Sequence, residues 1–396
     1  MLARNIRMCL VVAVIVAVAG SCKDEESPVA PSNVDTSPKI GSILPPGASP
    51  GIHVKITGSK FGGAQGGGTV VVGGAAAVVD AWNDTEVEFT MPAGAAGELG
   101  VAVTLTTDAG RSVATQIDIT PPNTYKVTRD GDMDHYPCWD ANGGRIYFSS
   151  TRGDGNWNLW RIPAMGGVAQ QVTSGDSPDF YPAVNFSSGE LAWSSRNKFS
   201  GMNPEGDYEI FRGYPICTDP GTACTTSMLT DNQSRDLYPA WAKAVYGGYS
   251  MAYTWEEVDQ GGGYLAWRVM LVSSGGAVAL TIGEQPSFSP DGRWVVYSNE
   301  GNLYKISSDG GVPVQLTSTG GDRHPDWGGG DKIVFERSNG GNFEDIFAMN
   351  ADGTGVEAIV GTRSNEYRPR WSNDYSKVVY YALVTGSFDI FVYVVP

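Results

Sequence analysis

A short pattern, a proline followed two residues later by a large apolar residue, recurs six times from residue 137 onward, roughly every 45 residues. The six pairs are Pro137/Trp139, Pro182/Val184, Pro239/Trp241, Pro286/Phe288, Pro325/Trp327 and Pro369/Trp371. Each unit holds four β-rich runs in one order, separated by turns. A single four-stranded unit cannot bury both faces of its sheet, so the units must pack around a ring. The pattern therefore predicts a six-bladed β-propeller of four-stranded blades over residues 124–396.

The two ends of this predicted propeller complement each other. The sixth unit reaches Pro396 just after its third strand, so a fourth strand has to come from elsewhere. The segment Thr124–Thr128 ends in Val-Thr, which resembles the end of the fourth strand in other units, such as Val172-Thr173. We expect this segment to complete blade six and close the ring.

Several repeated motifs connect this region to a known family. They include the Ser289-Pro290-Asp291-Gly292 turn, the triplets Asp345-Ile346-Phe347 and Asp389-Ile390-Phe391, and the recurring Leu-Thr pair. Together they resemble the TolB-like propeller family over the whole of 124–396. The resemblance implies the propeller fold, but propellers serve as enzymes, scaffolds and sensors, so the fold alone says little about function.

Residues 38–120 have a different pattern of short strand-like runs separated by Gly and Pro. The predicted strands are Ile52–Thr57, Thr69–Val72, Ala76–Val79, Glu86–Thr90 and Gly100–Thr106. The sequence around Ile56-Thr57-Gly58 and Phe61-Gly62 resembles the IPT/TIG family of immunoglobulin-like domains. The resemblance implies an immunoglobulin-like β-sandwich that acts as a spacer or interaction module. The predicted fold class is thus all-β, a sandwich followed by a propeller.

The N-terminus has the pattern of an export signal. Arg4 and Arg7 precede the apolar run Met8–Ala19, which is shorter than the roughly 20 residues that span a bilayer. Small residues and Cys22 follow, and this junction resembles a bacterial lipobox, with an ordinary signal peptide as the alternative. We therefore expect a signal peptide at 1–21, a lipidated Cys22 and a flexible tether at 22–37.

The tether begins with an acidic tract at residues 23–26. This tract resembles the surface-export signal of Bacteroidota lipoproteins. The implied location is the outer membrane, at the cell surface or facing the periplasm, with the lipid as the only membrane attachment.

Two cysteines are candidates for a disulfide, as expected in an oxidising compartment. Cys217 and Cys224 lie in one loop, CTDPGTAC. Cys138 is left over, and its apolar neighbours favour a buried, inert thiol.

Charge and histidine content exclude some functions. The formal net charge is −16, which argues against nucleic-acid binding. The chain has 3 His, which leaves little material for a His-based metal centre.

The repeat places chemically useful residues at one end of the predicted channel. The third residue before the repeat proline is acidic in five of six units. The residue directly before the proline is aromatic or polar. The candidate binding residues are Asp134, His135, Tyr136, Asp179, Tyr181, Asp236, Tyr238, Asp322, His324, Glu366 and Arg368. Either each Asp accepts backbone hydrogen bonds in its own turn, or the acids and aromatic residues form a ring that binds a cation or a basic segment.

No cofactor is predicted, and Ca²⁺ is left open because it prefers oxygen ligands. The run Asp130–Asp134 begins like a calcium loop but has His135 where that loop needs Gly and Ala141 where it needs Glu. We found no metal ligand set with recognisable spacing.

Two function classes remain. The first is a lipid-anchored binding or scaffold protein of the cell envelope, whose propeller mouth and loops bind a protein or glycan partner. The alternative is an exported polysaccharide-active enzyme, a lyase or glycoside hydrolase, with a carboxylate-based site at the mouth. No catalytic set converges in the sequence and no GxSxG nucleophile elbow occurs, which favours the binding protein while leaving enzyme activity open.

Overall fold

The described chain is built almost entirely of β-strands and turns. The computed structural model describes residues 35–95, 99–129, 131–198, 203–214, 226–259, 262–338, 340, 343–362, 364–384 and 386–396. The predicted signal peptide, Cys22 and the Cys217/Cys224 pair lie outside these residues. Ser37–Pro396 form one compact unit. Among the described residues, no helix has the length and apolar character needed to cross a membrane.

The first part is a β-sandwich. Its strands are β1 (Lys39–Leu44), β2 (Gly47–Ala48), β3 (His53–Ser59), β4 (Thr69–Val72), β5 (Ala75–Ala76), β6 (Val78–Trp82), β7 (Glu86–Thr90), β8 (Val101–Thr106) and β9 (Ser112–Ile119). One sheet has the order β1-β3-β7-β6, and the other has the order β2-β9-β8-β4-β5. Buried and more exposed residues alternate along β7 and β8, as expected when one face of each sheet packs on a core. Ile56, Phe89 and Leu105 are fully buried between the sheets, which confirms the predicted sandwich.

Six four-stranded antiparallel blades follow: five are separate meander sheets, and the strands of the sixth belong to one nine-stranded sheet with β2, β9, β8, β4 and β5. Blade one contains β11 (Asp134–Trp139), β12 (Arg145–Ser150), β13 (Asn158–Pro163) and β14 (Gln170–Gln171), and blade two contains β15 (Asp179–Val184), β16 (Leu191–Ser195), β17 (Glu209–Gly213) and β18 (Thr226–Met228). Blade three contains β19 (Asp236–Tyr246), β20 (Tyr249–Val258), β21 (Tyr264–Ser273) and β22 (Gly276–Ile282), and blade four contains β23 (Glu284–Phe288), β24 (Trp294–Asn299), β25 (Asn302–Ser307) and β26 (Val314–Gln315). Blade five contains β27 (Asp322–Trp327), a short 3-10 turn (Gly329–Asp331), β28 (Lys332–Ser338), β29 (Glu344–Asn350) and β30 (Glu357–Val360), and blade six contains β31 (Glu366–Trp371), β32 (Lys377–Val384), β33 (Ser387–Val394) and β10 (Thr124–Lys126).

The blades form a closed ring. Each innermost strand contacts the innermost strand of the next blade, and β31 contacts β11. In blade six, β10 pairs antiparallel with β33, with Thr124 opposite Tyr393 and Lys126 opposite Phe391. The prediction that the segment near residue 124 supplies the fourth strand of the last blade is therefore confirmed.

The repeated Pro-x-Trp motif links neighbouring blades. The Trp139 indole Nε1–H donates to the Arg370 carbonyl at 3.2 Å, and the Trp241 indole donates to the Ala183 carbonyl at 3.2 Å. Both indoles are buried. In blades one and three the motif thus combines apolar burial between blades with a hydrogen bond that satisfies the indole, whereas the indole N–H groups of Trp327 and Trp371 have no hydrogen-bond partner among the described residues.

The repeated threonine has one structural role in four blades. Its Oγ1 accepts the N–H of the apolar residue in the third strand, at 2.9 to 3.0 Å. The four pairs are Thr173 with Leu159, Thr230 with Ile210, Thr317 with Leu303, and Thr128 with Ile390. Thr128 makes the same bond from outside the sixth repeat unit, so the ring-closing segment reproduces the chemistry of the other outer strands.

The sandwich and the propeller share one sheet. The ring-closing strand β10 pairs with β33 on one side and with β2 on the other. Beside this junction, Lys126 Nζ lies 3.3 Å from Asp118 Oδ2 of the sandwich and 2.9 Å from Asp389 Oδ2 of blade six. All three side chains are at most 6% exposed, so the ion pairs are shielded from solvent.

Candidate binding site at the channel mouth

The innermost strand of every blade has a β-bulge around the residue before the repeat proline. The pairing with the second strand shifts register there in all six blades. The residues before the prolines have φ between 50° and 59°, although none is glycine: Tyr136, Tyr181, Tyr238, Gln285, His324 and Arg368. Such left-handed conformations cost about 1 to 3 kcal/mol each and persist only where the surrounding structure fixes them. Six of them at one level of the ring mark the mouth as a constrained part of the propeller.

Arg368 lies at the centre of this level. Its guanidinium carbon is 4.5 Å from the ring centroid of Tyr136, 4.4 Å from that of Tyr181 and 4.6 Å from that of Tyr238. Arg368 is 4% exposed. A desolvated guanidinium over aromatic faces is stabilised by about 2 kcal/mol or more. The three tyrosines and the arginine therefore close the channel axis and form the floor of the mouth.

His324 and Glu336 complete the floor on the side of blade five. His324 Nδ1 lies 2.7 Å from Glu336 Oε1, and the Arg368 backbone N–H donates to Glu336 Oε2 at 3.0 Å. Burial, helped by the charge of Arg368, lowers the pKa of His324 to about 4. His324 is therefore neutral at neutral pH.

A continuous set of aromatic rings extends over the mouth from blades six, one, two and three. We call it the aromatic arc, and it consists of His135, Tyr136, Trp157, Phe180, Tyr181, Tyr208, Tyr238, Tyr367, Tyr381 and Phe388. Neighbouring ring centroids lie 4.4 to 6.1 Å apart. All but Tyr381 are half-buried, so part of each of these residues remains accessible to solvent.

The arc contains residues that the repeat register at the prolines did not identify. Trp157, Tyr208 and Phe388 each stand directly before the polar-apolar-aromatic triplet of the third strand. They join the arc because a third strand starts at the same end of the blade as a first strand. Reading this second column of the repeat would have found them.

The remaining part of the mouth, from blades four and five, is polar. Gln285 Oε1 accepts the Ser298 hydroxyl at 2.8 Å and the His324 backbone N–H at 2.9 Å. Glu284 is half-buried and Arg323 is exposed beside it. The mouth therefore combines an apolar aromatic side with a side that offers hydrogen-bonding groups.

The five predicted acids have a different position from the residues before the prolines. Each is at most 4% exposed: Asp134, Asp179, Asp236, Asp322 and Glu366. Both carboxylate oxygens of Asp134 accept from Arg152 Nη2 at 2.7 Å, and those of Asp322 accept from Arg337 Nε and Nη2 at 2.6 and 2.8 Å. Of the two alternatives, a ring of carboxylates that bind a ligand does not fit this geometry, because the carboxylates are buried within the propeller beneath the mouth.

Within the described part of the chain, three of these acids form no ion pair with a lysine, arginine or histidine. Burial raises the pKa of Asp179 to about 6 and that of Glu366 to about 7. Burial, with Glu209 beside it, also raises the pKa of Asp236 well above its ordinary value. These groups hold protons more tightly than exposed carboxylates do.

Blade four has Gly283 where the other blades have an acid. Its φ is 146°, and a Cβ there would lie 2.3 Å from a ring carbon of Tyr297. The Tyr297 ring occupies the volume that a side chain at 283 would need. Blade four therefore has no acid at this position because the Tyr297 ring leaves no room for a side chain.

Within the described ranges, no three or more His, Cys, Asp or Glu side chains are grouped so as to hold a metal ion. Asp130, the first residue of the calcium-loop-like run, lies outside those ranges. His135 contacts four rings of the arc, and burial, with Arg368, lowers its pKa to about 4. His135 therefore acts as a neutral aromatic member of the surface.

Comparison with known proteins agrees with the two-part architecture. Residues 38–119 match the IPT/TIG domain family, so this segment is an IPT/TIG domain. A curated relative, the cyclomaltodextrin glucanotransferase of Paenibacillus macerans, is 42% identical over 72 residues, which is 17% of this chain and 10% of that enzyme. The chain thus matches only about a tenth of the length of that relative.

Solved structures also match this chain, at low sequence identity. A gluconolactonase from Xanthomonas campestris has a TM-score of 0.50 and 11% identity, covering 69% of this chain and 89% of that one. TolB from Acinetobacter baumannii has a TM-score of 0.46 and 14% identity, covering 75% of this chain and 77% of that one. An auxiliary nutrient binding protein from Bacteroides ovatus has a TM-score of 0.47 and 12% identity, covering 92% and 99%. At these identities the likeness concerns the fold alone.

Proposed function

We propose that the chain is a lipid-anchored binding protein of the cell envelope and that its channel mouth binds a glycan. The observation that carries the proposal is the aromatic arc. Half-buried Trp, Tyr and Phe rings from four blades form one continuous surface at the mouth. Aromatic side chains combine large contact area with polar tips and are typical of ligand-binding surfaces.

The division of the mouth into an aromatic and a polar part favours a sugar ligand. A pyranose ring has an apolar face of C–H groups, which packs on aromatic rings, and an edge of hydroxyl groups, which needs hydrogen bonds. Trp157 and Phe180 lie 5.4 Å apart between centroids and supply neighbouring stacking surfaces. Glu284 and Arg323 supply polar groups on the facing side.

The buried acids weigh against the alternative of a polysaccharide-active enzyme. Glycoside hydrolysis needs two carboxyl groups that flank the scissile bond. Asp134 and Asp322 are fully buried and engaged by arginines, so neither reaches a ligand at the mouth. The proposed role is therefore binding.

The sequence pattern of an export signal at residues 1–21, followed by Cys22, supports an envelope location. The proposed lipid on Cys22 would attach the chain to the membrane, and the IPT/TIG domain would separate the propeller from the membrane surface. Mass spectrometry of the mature protein from its native envelope tests this part. We expect Cys22 to be the N-terminal residue and to carry acyl chains, and an unmodified Cys22 would contradict the anchor.

Affinity electrophoresis through gels containing soluble polysaccharides tests glycan binding. The full-length protein is purified in a detergent without a sugar headgroup and run against a panel of neutral and acidic polysaccharides. We expect retardation by at least one of them. Trp157→Ala combined with Phe180→Ala should weaken that retardation about tenfold or more, because two stacking surfaces are lost.

The matched control is Trp294→Ala. Trp294 is a half-buried tryptophan at the opposite end of blade four, where Lys305 Nζ lies 5.4 Å from its ring. This variant should be retarded like the wild type. No retardation by any polysaccharide, or unchanged retardation of folded Trp157/Phe180 variants, would refute the proposal. Capture of an envelope protein that depends on Trp157, without glycan binding, would refute the glycan and point to a protein ligand.

A further inference from the structure

A second cavity lies on the other side of the Arg368 floor, at the opposite end of the channel. Its volume is about 70 Å³, several times the space that a single water molecule needs. The residue directly after each repeat proline lines it: Cys138, Ala183, Ala240, Ser287, Asp326 and Arg370. We call this cavity the lower chamber. The small side chains from blades two, three and four leave an open space. The charged residues of blades five and six face this space.

The lower chamber contains more positive than negative charge. Lys243 and Arg370 line it together with the single carboxylate of Asp326. Lys243 Nζ lies 3.6 Å and Arg370 Nη1 lies 3.9 Å from Asp326 Oδ1. Their side chains are only 12% and 23% exposed, so solvent compensates them poorly.

Asp326 is largely engaged by neutral donors. Its Oδ1 accepts the Ser287 hydroxyl at 2.7 Å, and its Oδ2 accepts the Trp371 backbone N–H at 2.8 Å. Both distances are shorter than those to Lys243 and Arg370. The Asp326 carboxylate therefore bonds more closely to groups of the neighbouring blades than to the two cations.

The two cations retain unused donors. The Lys243 ammonium donates to the Trp327 carbonyl, and Arg370 Nη1 donates to the Pro325 carbonyl at 3.3 Å. A guanidinium has five N–H groups and an ammonium has three, so even with the contacts to Asp326 counted, each cation keeps at least one donor without an acceptor among the described residues. Burial lowers the pKa of both Lys243 and Arg370, and Asp326 only partly offsets it. Both observations indicate a place for an additional acceptor.

The net charge of the side chains along the channel axis indicates the charge that an additional acceptor would carry. Arg368, Arg370 and Lys243 carry three positive charges, and Asp326 and Glu336 carry two negative charges, while His324 is neutral at neutral pH. The axis thus has one excess positive charge, within a chain whose formal net charge is −16. A monovalent anion would balance it.

We propose that the lower chamber is a binding site for a carboxylate group, held by Arg370 and Lys243. A planar carboxylate matches the planar donor fork of a guanidinium and accepts from an ammonium at the same time. The volume suits one carboxylate with a short substituent. The site lies across the Arg368 floor from the aromatic arc, so it is independent of the proposed glycan binding.

Tryptophan fluorescence provides the test, because Trp139, Trp241 and Trp371 line the lower chamber. The full-length protein is titrated with sodium acetate, and sodium chloride is lowered in step so that the ionic strength stays constant. We expect a saturable fluorescence change and a rise of the melting temperature with acetate. Lys243→Met and Arg370→Met should each weaken acetate binding about tenfold or more.

The control variant is Arg293→Gln, which removes an arginine that is 65% exposed at the same end of the propeller. It should bind acetate like the wild type, and so should the variant with Trp157→Ala and Phe180→Ala. If Arg370→Met does not fold, Lys243→Met and the wild-type titration decide. A wild-type response that is absent or linear, or folded Lys243→Met with wild-type affinity, would overturn the proposal.

Discussion

The guanidinium of Arg368, from blade six, lies 4.4 Å from the centre of the Tyr181 ring of blade two. The two residues occupy the same register position in their blades, directly before the repeat proline, and both have positive φ. This contact crosses the propeller channel and joins two residues that occupy equivalent positions in the repeat. The channel axis is closed because one blade supplies a cation where three others supply an aromatic face.

This arrangement predicts that lysine cannot replace Arg368. Arg368→Lys keeps the charge but loses the planar group that stacks on three rings. We expect the free energy of unfolding to fall by about 2 kcal/mol in chemical denaturation. Arg323→Lys, at the exposed neighbouring position, should change it little. Equal stability of Arg368→Lys and the wild type would show that the contacts with the tyrosines contribute nothing.

The raised pKa of Glu366 predicts a pH dependence of stability. Burial, followed by the neighbouring Asp345, raises the pKa of Glu366 from 4.5 to about 7 in the folded chain, although Thr362 donates to it. Between these values the folded state holds a proton that the unfolded state has lost. The stabilisation from protonated Glu366 is therefore complete below about pH 4.5 and is lost as the pH rises to about 7.

The measurement is the difference in unfolding free energy between wild type and Glu366→Gln as a function of pH. The two lowered histidines, His135 and His324, act in the opposite direction between about pH 4 and 6.5, but they are present in both proteins and cancel in the difference. We expect wild type to lose up to about 1.4 kcal/mol per pH unit relative to Glu366→Gln in this window. A difference that does not vary with pH would contradict the shifted pKa.

The buried pairs Asp134–Arg152 and Asp322–Arg337 occupy matching positions in blades one and five. Asp134→Asn and Asp322→Asn should each destabilise the protein by about 3 to 5 kcal/mol, because each removes the negative charge that compensates a largely buried arginine. Adding Arg152→Met to Asp134→Asn should recover part of the loss. Urea unfolding of the single and double variants measures the coupling. If the double variant loses as much unfolding free energy as the two single variants added together, the ion pair makes no contribution to stability.

The Lys126 ion pairs predict that the sandwich and propeller unfold together. Lys126→Met removes the buried cation that Asp118 and Asp389 share at the junction, while Arg129 still pairs with Asp118 at 2.8 Å. We expect one calorimetric transition for wild type and a lower, broader or divided transition for Lys126→Met. Lys55→Met, which changes an exposed lysine of the sandwich paired with Glu88, is the matched control and should keep the wild-type profile.

Much of the fold follows from the sequence because the repeat is regular. Six Pro-x-apolar units require six blades, and the Val-Thr signature places Thr124–Thr128 in the last one. The two-residue strand β2 and the short β5 could not be predicted, since strands of that length have no detectable alternation.

The candidate site was predicted less completely, for a geometric reason. In a regular strand, Asp134 and Tyr136 would point to the same face, because side chains alternate with a period of two. The bulge at Tyr136 breaks that alternation, so the acid is buried while the tyrosine contacts the axis. No sequence signal distinguishes a bulged Tyr-Pro from a regular one. The position of Trp157 beside Phe180 depends in addition on how neighbouring blades pack.

The strand that closes the ring differs from the other outer strands in one respect. Among the described residues, β14, β18, β22, β26 and β30 each end their sheet, while β10 continues into β2 of the IPT/TIG domain. A ring closed by strands from both ends of a domain is open to strand exchange between molecules, because β10 could pair with the β33 of another copy. In this protein such an exchange would also require β10 to leave β2, or the whole IPT/TIG domain to move with it. The pairing of β10 with β2 is therefore a contact that any such exchange has to break or carry with it.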